Sequence, residues 1–269
     1  MSDPIAQFVF LNGFDRSGTS MMAKVLAHHP DVECLFQPFS STVVHDTEWE
    51  YWAAEEEHPE VESFLDGLQE GEIDRSFIAS DWFENHSTAF TIEPGTTYAI
   101  KSTKMHFKVD WLAARYPSMP VYAIERKPHG ILASLLRNGF YEDWYGEDAY
   151  QALLDYVETD DELPAELVGY VREADSNLEK MAVMVAVRTA VARRRIPSSR
   201  ILVYEKVLDN AEREFGKLTG PLELNSYPFG NHLDQDYNIA GKQYRRCDLW
   251  KTYFDDEEKR TIGNIFACV

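Results

Sequence analysis

The sequence predicts an α/β fold with three layers, α/β/α, in which helices cover both faces of a central, mostly parallel sheet of about five strands. Two observations support this prediction. Apolar runs of strand length alternate with longer segments of helical periodicity, which is the pattern of parallel strands joined by helices. Most of these runs also end at glycine, basic or tyrosine residues, and open α/β sheets bind ligands beyond the carboxyl ends of their strands. The predicted strands are 7–12, 32–35, 97–102, 120–125 and 200–204.

The length and composition suit one domain. The chain has 269 residues, of which 44% are hydrophobic, and this is enough for a sizeable core. A single domain is therefore expected over residues 1–269, with helical insertions at about 45–95 and 141–195. The second insertion holds a capping-box sequence, Ser176-Asn177-Leu178-Glu179, before an apolar helix that ends at Ile196-Pro197. The arginines at 193–195 are expected to complement the negative end of this helix.

The charge is strongly negative and unevenly distributed. A formal charge of −20 argues against nucleic acid and anionic membranes as partners. Residues 45–99 hold 15 acidic side chains and residues 141–175 hold 12, whereas many basic residues lie near the predicted strand ends. The acidic segments are either a solvated surface or a lid that admits a neutral or cationic partner.

No membrane or metal contact is expected. The most apolar run, 181–187, is far shorter than the ~20 residues that span a bilayer, and the first strand begins by about residue 7, which leaves no leader segment. A cytoplasmic protein is therefore expected. The three cysteines lack paired spacing, and the histidines lack a third ligand, so no metal site is predicted.

The first predicted strand runs into a glycine-framed loop that opens a helix. Gly13 and Gly18 have the P-loop spacing, in which backbone N–H groups turn inward onto a phosphate and the helix N-terminus adds positive charge. The lysine of ATP- and GTP-hydrolysing loops is missing, because Thr19 takes its position and the cation, Arg16, lies inside the loop. We expect a phosphate cradle that serves a different nucleotide. Its residues are Arg16, Ser17, Gly18, Thr19 and Ser20.

A second motif follows the strand at 120–125. Arg126 stands at the strand end, and Ser134 lies two turns along the next predicted helix. Together with the Arg-Ser-Gly-Thr-Ser loop and His29-Pro30, this motif resembles the sulfotransferases that use 3′-phosphoadenosine 5′-phosphosulfate (PAPS). The resemblance implies that Arg126 and Ser134 hold the 3′-phosphate that distinguishes PAPS from ATP. A guanidinium can bind phosphate through two parallel hydrogen bonds, which makes this assignment physically sound.

Further landmarks of the resemblance fall in family order, and together they span roughly residues 8–209. Tyr204, in Tyr204-Glu205-Lys206-Val207-Leu208, is similar to the tyrosine that faces the adenosine, and Lys101 is similar to a lysine that ends an earlier strand. Lys242 and Arg245, shortly before Trp250, are similar to a basic loop that closes over the nucleotide. The family implies no metal.

The expected chemistry is sulfuryl transfer from PAPS to a hydroxyl or amine of an unidentified small-molecule or peptide acceptor, which leaves adenosine 3′,5′-bisphosphate. Arg16 and the loop amides are expected to stabilise the leaving phosphate, and Lys101 to contact the sulfuryl group.

The proton acceptor in this reaction is less evident. His106 is the first candidate, because a histidine titrates near neutrality. The two positions at which relatives carry a glutamate or histidine base hold Gln37 and Thr103 here. Asp15 and Glu125 are alternatives.

Two other functions share these motifs. A small-molecule kinase would use the same fold and first loop, although the loop lysine is absent. A non-catalytic nucleotide-binding protein would explain Gln37 and Thr103.

Overall fold

The computed structural model describes residues 6–39, 50–78, 81–233 and 250–269. Its five strands form one parallel sheet in the order β2-β3-β1-β4-β5. The strands are β1 (Gln7–Asn12), β2 (Val32–Phe36), β3 (Thr97–Ser102), β4 (Val121–Glu125) and β5 (Ile201–Val203). The predicted sheet is confirmed, with one correction at its edge. Tyr204, which we expected to end the fifth strand, is the first residue of the following helix.

The helices within the described residues follow the strands in alternation. They are α1 (Thr19–Leu26), α2 (Pro59–Glu70), α3 (Asp81–Glu84), α4 (Val109–Arg115), α5 (Pro128–Arg137), α6 (Gly146–Thr159), α7 (Ala165–Glu173), α8 (Asn177–Arg195), α9 (Tyr204–Asp209), α10 (Ala211–Thr219), α11 (Trp250–Tyr253) and α12 (Asp256–Phe266). A π-helical turn, Tyr141–Tyr145, connects α5 to α6. Short 3₁₀ turns lie at Arg75–Ile78, His106–Lys108, Ser198–Arg200 and Phe229–His232.

Helices cover both faces of the sheet, because alternate residues of each strand point in opposite directions. On β1, Val9 and Leu11 pack with α1, α9 and α10, whereas Phe8 and Phe10 pack with α2 and α4. A further apolar core joins α5, α6, α7, α8 and α12. This arrangement confirms the predicted three layers.

Helix α8 begins at the predicted capping box. The Ser176 side chain accepts a hydrogen bond from the Glu179 backbone N–H, and the Glu179 carboxylate accepts one from the Ser176 backbone N–H. The three arginines that end this helix each reach a carboxylate outside it. The pairs are Arg193 with Glu125 (2.9 Å), Arg194 with Asp160 (2.6 Å) and Arg195 with Asp110 (3.1 Å). The interpretation from sequence, which named only the helix dipole, was therefore incomplete.

The sheet order brings the candidate functional residues to one edge. Strand β1 lies between β3 and β4, with Leu11 opposite Lys101 and Asn12 opposite Ala123. The loops that follow these three strands therefore converge at their carboxyl ends. No helix in the described part of the chain is long and apolar enough to cross a membrane.

Candidate active site

The loop between β1 and α1 has the tight geometry that its two glycines allow. Gly18 has a φ of +100°, in the left-handed region that side chains rarely adopt. A Cβ atom there would also lie within 2.7 Å of Tyr204 Cε2. At Gly13, a Cβ atom would lie 2.6 Å from Ser17 Oγ and 2.8 Å from the Ile124 carbonyl oxygen. Both positions therefore require glycine, and the loop wraps closely against β4 and α9.

Hydrogen bonds connect this loop to the second predicted motif. Arg16 Nε donates to Ser134 Oγ on α5 over 2.9 Å. Arg126 Nη1 donates to the Arg16 carbonyl oxygen, also over 2.9 Å. Arg16 itself has a φ of +67°, so the loop turns sharply at this residue. The structure thus brings together three of the residues that the sequence assigned to phosphate.

Tyr204 joins the same cluster from the start of α9. Its ring packs against Gly18, and the Arg126 guanidinium carbon lies 4.6 Å from the ring centroid. This cation–π contact orients the guanidinium toward the loop. Lys242 and Arg245 lie outside the described residues.

Lys101 is buried at the end of β3, where its Nζ lies 4.5 Å from the centroid of the Phe36 ring. Burial lowers the pKa of Lys101 to about 8, the nearby Asp15 carboxylate opposes this effect, and the charge of Arg16 adds to it. The ammonium group is therefore close to titration at physiological pH, in contrast to an exposed lysine.

His106 lies in the 3₁₀ turn after β3 and is buried. It lines a cavity of about 50 Å³ together with Asn12, Ser17 and Arg126. Burial, with the positive charges of Arg188 and two neighbouring lysines, holds the pKa of this imidazole well below its ordinary value of 6.5. Its Nδ1 atom has no hydrogen-bond partner within the described residues. The ring is therefore neutral at physiological pH and borders a small cavity beside the loop.

Gln37 and Thr103, which stand where relatives carry a glutamate or histidine base, contact each other. Gln37 Nε2 donates to Thr103 Oγ1 over 3.1 Å, and Gln37 has a φ of +49°. Neither an amide nor a hydroxyl accepts a proton at neutral pH.

Two residues that sequence reasoning missed lie beside the loop. Tyr145, the last residue of the π-helical turn, donates its hydroxyl hydrogen to Asp15 Oδ2 over 2.6 Å. Arg188 of α8 is buried, and its guanidinium carbon lies 4.8 Å from the centroid of the Phe14 ring. The sequence could have indicated Arg188, because it is the one charged residue in the apolar run 181–191. Tyr145 had no such signal, because its segment matches no motif.

Within the described ranges, no group of three histidine, cysteine, aspartate or glutamate side chains could hold a metal ion. The features described above define the class: an α/β protein with a P-loop-like cradle that lacks the P-loop lysine and that has an arginine, a serine and a tyrosine beside it. A sequence model of the sulfotransferase family matches residues 8–225. The chain therefore belongs to the sulfotransferase family, which confirms the resemblance stated from its motifs.

A curated protein and two solved structures are similar to this chain. Nodulation protein NoeE of Sinorhizobium fredii is 26% identical over 136 residues, which is 49% of this chain and 32% of NoeE. The match thus spans about a third of that curated relative. Among solved structures, the sulfotransferase of Alicyclobacillus acidocaldarius is 11% identical, with a TM-score of 0.47 over 99% of this chain and 92% of its own. The sulfotransferase domain of the Synechococcus olefin synthase is 12% identical, with a TM-score of 0.49 over 99% and 96%.

Proposed function

We propose that this protein transfers a sulfuryl group from PAPS to a hydroxyl or amine of a small-molecule or peptide acceptor. The observation that supports this most is the hydrogen-bonded cluster of Arg16, Ser134 and Arg126. It joins a cradle for one phosphate to a cation-and-hydroxyl pair suited to a second. Among adenine nucleotides, PAPS and its product carry phosphate on both the 5′ and 3′ positions.

The proposed roles follow from where each group lies. The amides of residues 17–20 and the Arg16 guanidinium stabilise the charge that grows on the leaving 5′-phosphate. Arg126 and Ser134 bind the 3′-phosphate, and the Tyr204 ring packs against the Arg126 guanidinium. Lys101 contacts the transferring sulfuryl group. For Lys242 and Arg245, the proposed phosphate contact rests on the sequence alone. His106 is one candidate for the base, because it lies close to the end of β3.

A non-catalytic nucleotide-binding protein is the second candidate. The bond between Gln37 and Thr103 favours it, because no proton acceptor occupies either position. The acceptor of the proposed reaction is expected to be neutral or cationic, given the formal charge of −20, and this charge disfavours nucleic acid.

Thermal unfolding distinguishes the nucleotide class. We expect adenosine 3′,5′-bisphosphate at 100 times its dissociation constant to stabilise the protein by about 2.7 kcal/mol, a shift of several degrees. AMP and ATP with magnesium at the same concentration should shift the midpoint by far less, because neither carries the 3′-phosphate. A larger shift with ATP and magnesium would instead establish the kinase.

The lowered pKa of Lys101 makes nucleotide binding pH-dependent. Lys101 attracts the sulfuryl group only while it is charged, so affinity for PAPS should be highest below pH 8 and fall as pH rises through about 8. The loss approaches about tenfold per pH unit, because binding then requires uptake of one proton. The phosphates contribute little in this range, since their second ionisation has a pKa near ~6 and is nearly complete at pH 8. Calorimetric titrations across this range should therefore slope downward for the wild type.

The matched control is Lys101→Arg, which keeps its charge at all these pH values. Its affinity profile should be flat. A profile in Lys101→Arg as steep as that of the wild type would show that another group titrates.

A further inference from the structure

We propose that Asp15 accepts the acceptor's proton during sulfuryl transfer, and that Tyr145 positions its carboxylate for this step. This inference rests on the proposed function. In relatives the catalytic base stands at the position of Gln37 or of Thr103. Here we assign that role to a carboxylate inside the phosphate cradle.

The Asp15 carboxylate is anchored on one side and available on the other. Tyr145 Oη donates to Oδ2 over 2.6 Å. Among the described residues, Oδ1 accepts no hydrogen bond and the carboxylate forms no ion pair. Asp15 is only half-buried, in contrast to its loop neighbours Phe14 and Ser17, which are buried. One oxygen is thus held in place while the other can take a proton.

The positive charges near Asp15 keep its carboxyl group ionised, although none in the described residues forms an ion pair with it. Burial raises the pKa of this carboxyl, but Lys104, Lys101, the Tyr145 hydroxyl and Arg188 together hold it below its ordinary value. Lys101, the proposed sulfuryl-binding cation, is thus one of the charges that act on this carboxylate. These cations offset the repulsion between the carboxylate and the incoming phosphosulfate.

Tyr145 is itself rigidly held. It is buried, and its ring stacks on Phe14 with centroids 5.6 Å apart and planes inclined by 16°. Burial and the nearby Asp15 charge hold the pKa of this phenol well above its ordinary value, so its hydroxyl acts as a donor. It ends a π-helical turn, a conformation that occurs frequently at functional sites. Tyr145 is therefore a positioning residue for Asp15.

The other candidates are less suited to meet the acceptor. Glu125 is engaged by both Nε and Nη2 of Arg193 at 2.9 Å each. His106 is buried, and its Nδ1 atom has no solvent exposure through which it could meet an acceptor. Asp15 is the carboxylate that lies in the cradle and retains an available oxygen.

The step balances in atoms and charge. The acceptor oxygen or nitrogen forms a bond to sulfur as the bond between sulfur and the bridging phosphate oxygen breaks, and that electron pair stays on the leaving adenosine 3′,5′-bisphosphate. The acceptor's proton passes to Asp15 Oδ1. A carboxylate of low pKa suffices, because little proton transfer precedes a loose transition state, and protein kinases also use an aspartate to accept the substrate hydroxyl proton.

The test uses the full chain in excess over radiolabelled PAPS, with phenol, p-nitrophenol and water as acceptor probes. Phenol, with a pKa near ~10, must lose its proton during transfer, whereas p-nitrophenol is already ionised in mildly alkaline buffer. We expect Asp15→Asn to slow transfer to phenol and water by about 100-fold or more and transfer to p-nitrophenol by less than about threefold. Tyr145→Phe should slow phenol transfer by about tenfold, again with p-nitrophenol spared. Asp143→Asn, which removes an exposed carboxylate of the same π-helical turn, should change nothing.

The outcomes separate this inference from the proposed function. If the wild type does not bind adenosine 3′,5′-bisphosphate in calorimetry, the proposed function fails. If it binds, three results would overturn the role of Asp15: equal slowing of both phenols in Asp15→Asn, a phenol-specific loss in His106→Gln with Asp15→Asn unaffected, or no transfer to any probe above the solution rate.

Discussion

Replacement of Gly18 by alanine is expected to remove measurable nucleotide binding and to lower the free energy of unfolding by about 3 kcal/mol. Two effects add. The φ of +100° is strained for any residue with a Cβ atom, at a cost of about 1–3 kcal/mol. The new methyl group would also collide with the Tyr204 ring, and overpacking of this kind costs about 1–3 kcal/mol. Because Tyr204 supports Arg126, displacement of the ring disturbs both phosphate positions at once.

Gly169→Ala is the matched control for this variant. Gly169 lies in α7 with ordinary helical φ, and a Cβ atom there would meet nothing within 4 Å. Alanine should therefore stabilise the helix by about 0.5–1 kcal/mol. Chemical denaturation gives the unfolding free energies, and calorimetry with adenosine 3′,5′-bisphosphate gives the binding. Equal behaviour of the two variants would contradict the loop geometry described above.

Arg126→Ala is expected to reduce affinity for adenosine 3′,5′-bisphosphate by about 100-fold. A hydrogen bond to a charged group contributes about 1.5–3 kcal/mol, and a guanidinium can offer two of them to one phosphate. Part of any loss will come from the loop, because Arg126 Nη1 also holds the Arg16 carbonyl oxygen. AMP separates the two contributions, since it lacks the 3′-phosphate but occupies the same cradle.

The expected pattern in calorimetry is therefore a large loss for the bisphosphate and a small loss for AMP. Ser134→Ala provides a second comparison, because it removes a neutral donor to the same phosphate and leaves the Arg126 contact to the loop intact. It also removes the acceptor of the Arg16 Nε hydrogen bond, so AMP again serves as the reference. Equal losses for both nucleotides in Arg126→Ala would assign the arginine to loop structure alone.

The sheet and most of the nucleotide cluster could be predicted from the sequence because their signals are local. Strands show as apolar runs, and the loop shows as glycines at fixed spacing. Arg16, Arg126 and Tyr204 follow β1, β4 and β5, which are neighbours in one parallel sheet, so topology alone brings them together.

The surroundings of Asp15 could not be predicted, because they depend on packing between distant segments. Tyr145 reaches the loop through a π-helical turn that interrupts the path from α5 to α6, and nothing in its local sequence signals this. His106 was expected near the end of β3, and it is there, but its burial beside Ser17 follows from how α8 packs against the sheet. The sequence thus indicated which residue types were present near the site, and only the structure shows which of them retain an available atom.

The measurement that tests the central claim most directly is the ratio of the affinities of the wild-type protein for adenosine 3′,5′-bisphosphate and for AMP, by calorimetric titration. A site built around Arg126 and Ser134 predicts a preference for the bisphosphate of about 100-fold, and this preference should disappear in Arg126→Ala. Equal affinity for the two nucleotides, or tighter binding of ATP with magnesium, would contradict the proposal that this protein uses PAPS.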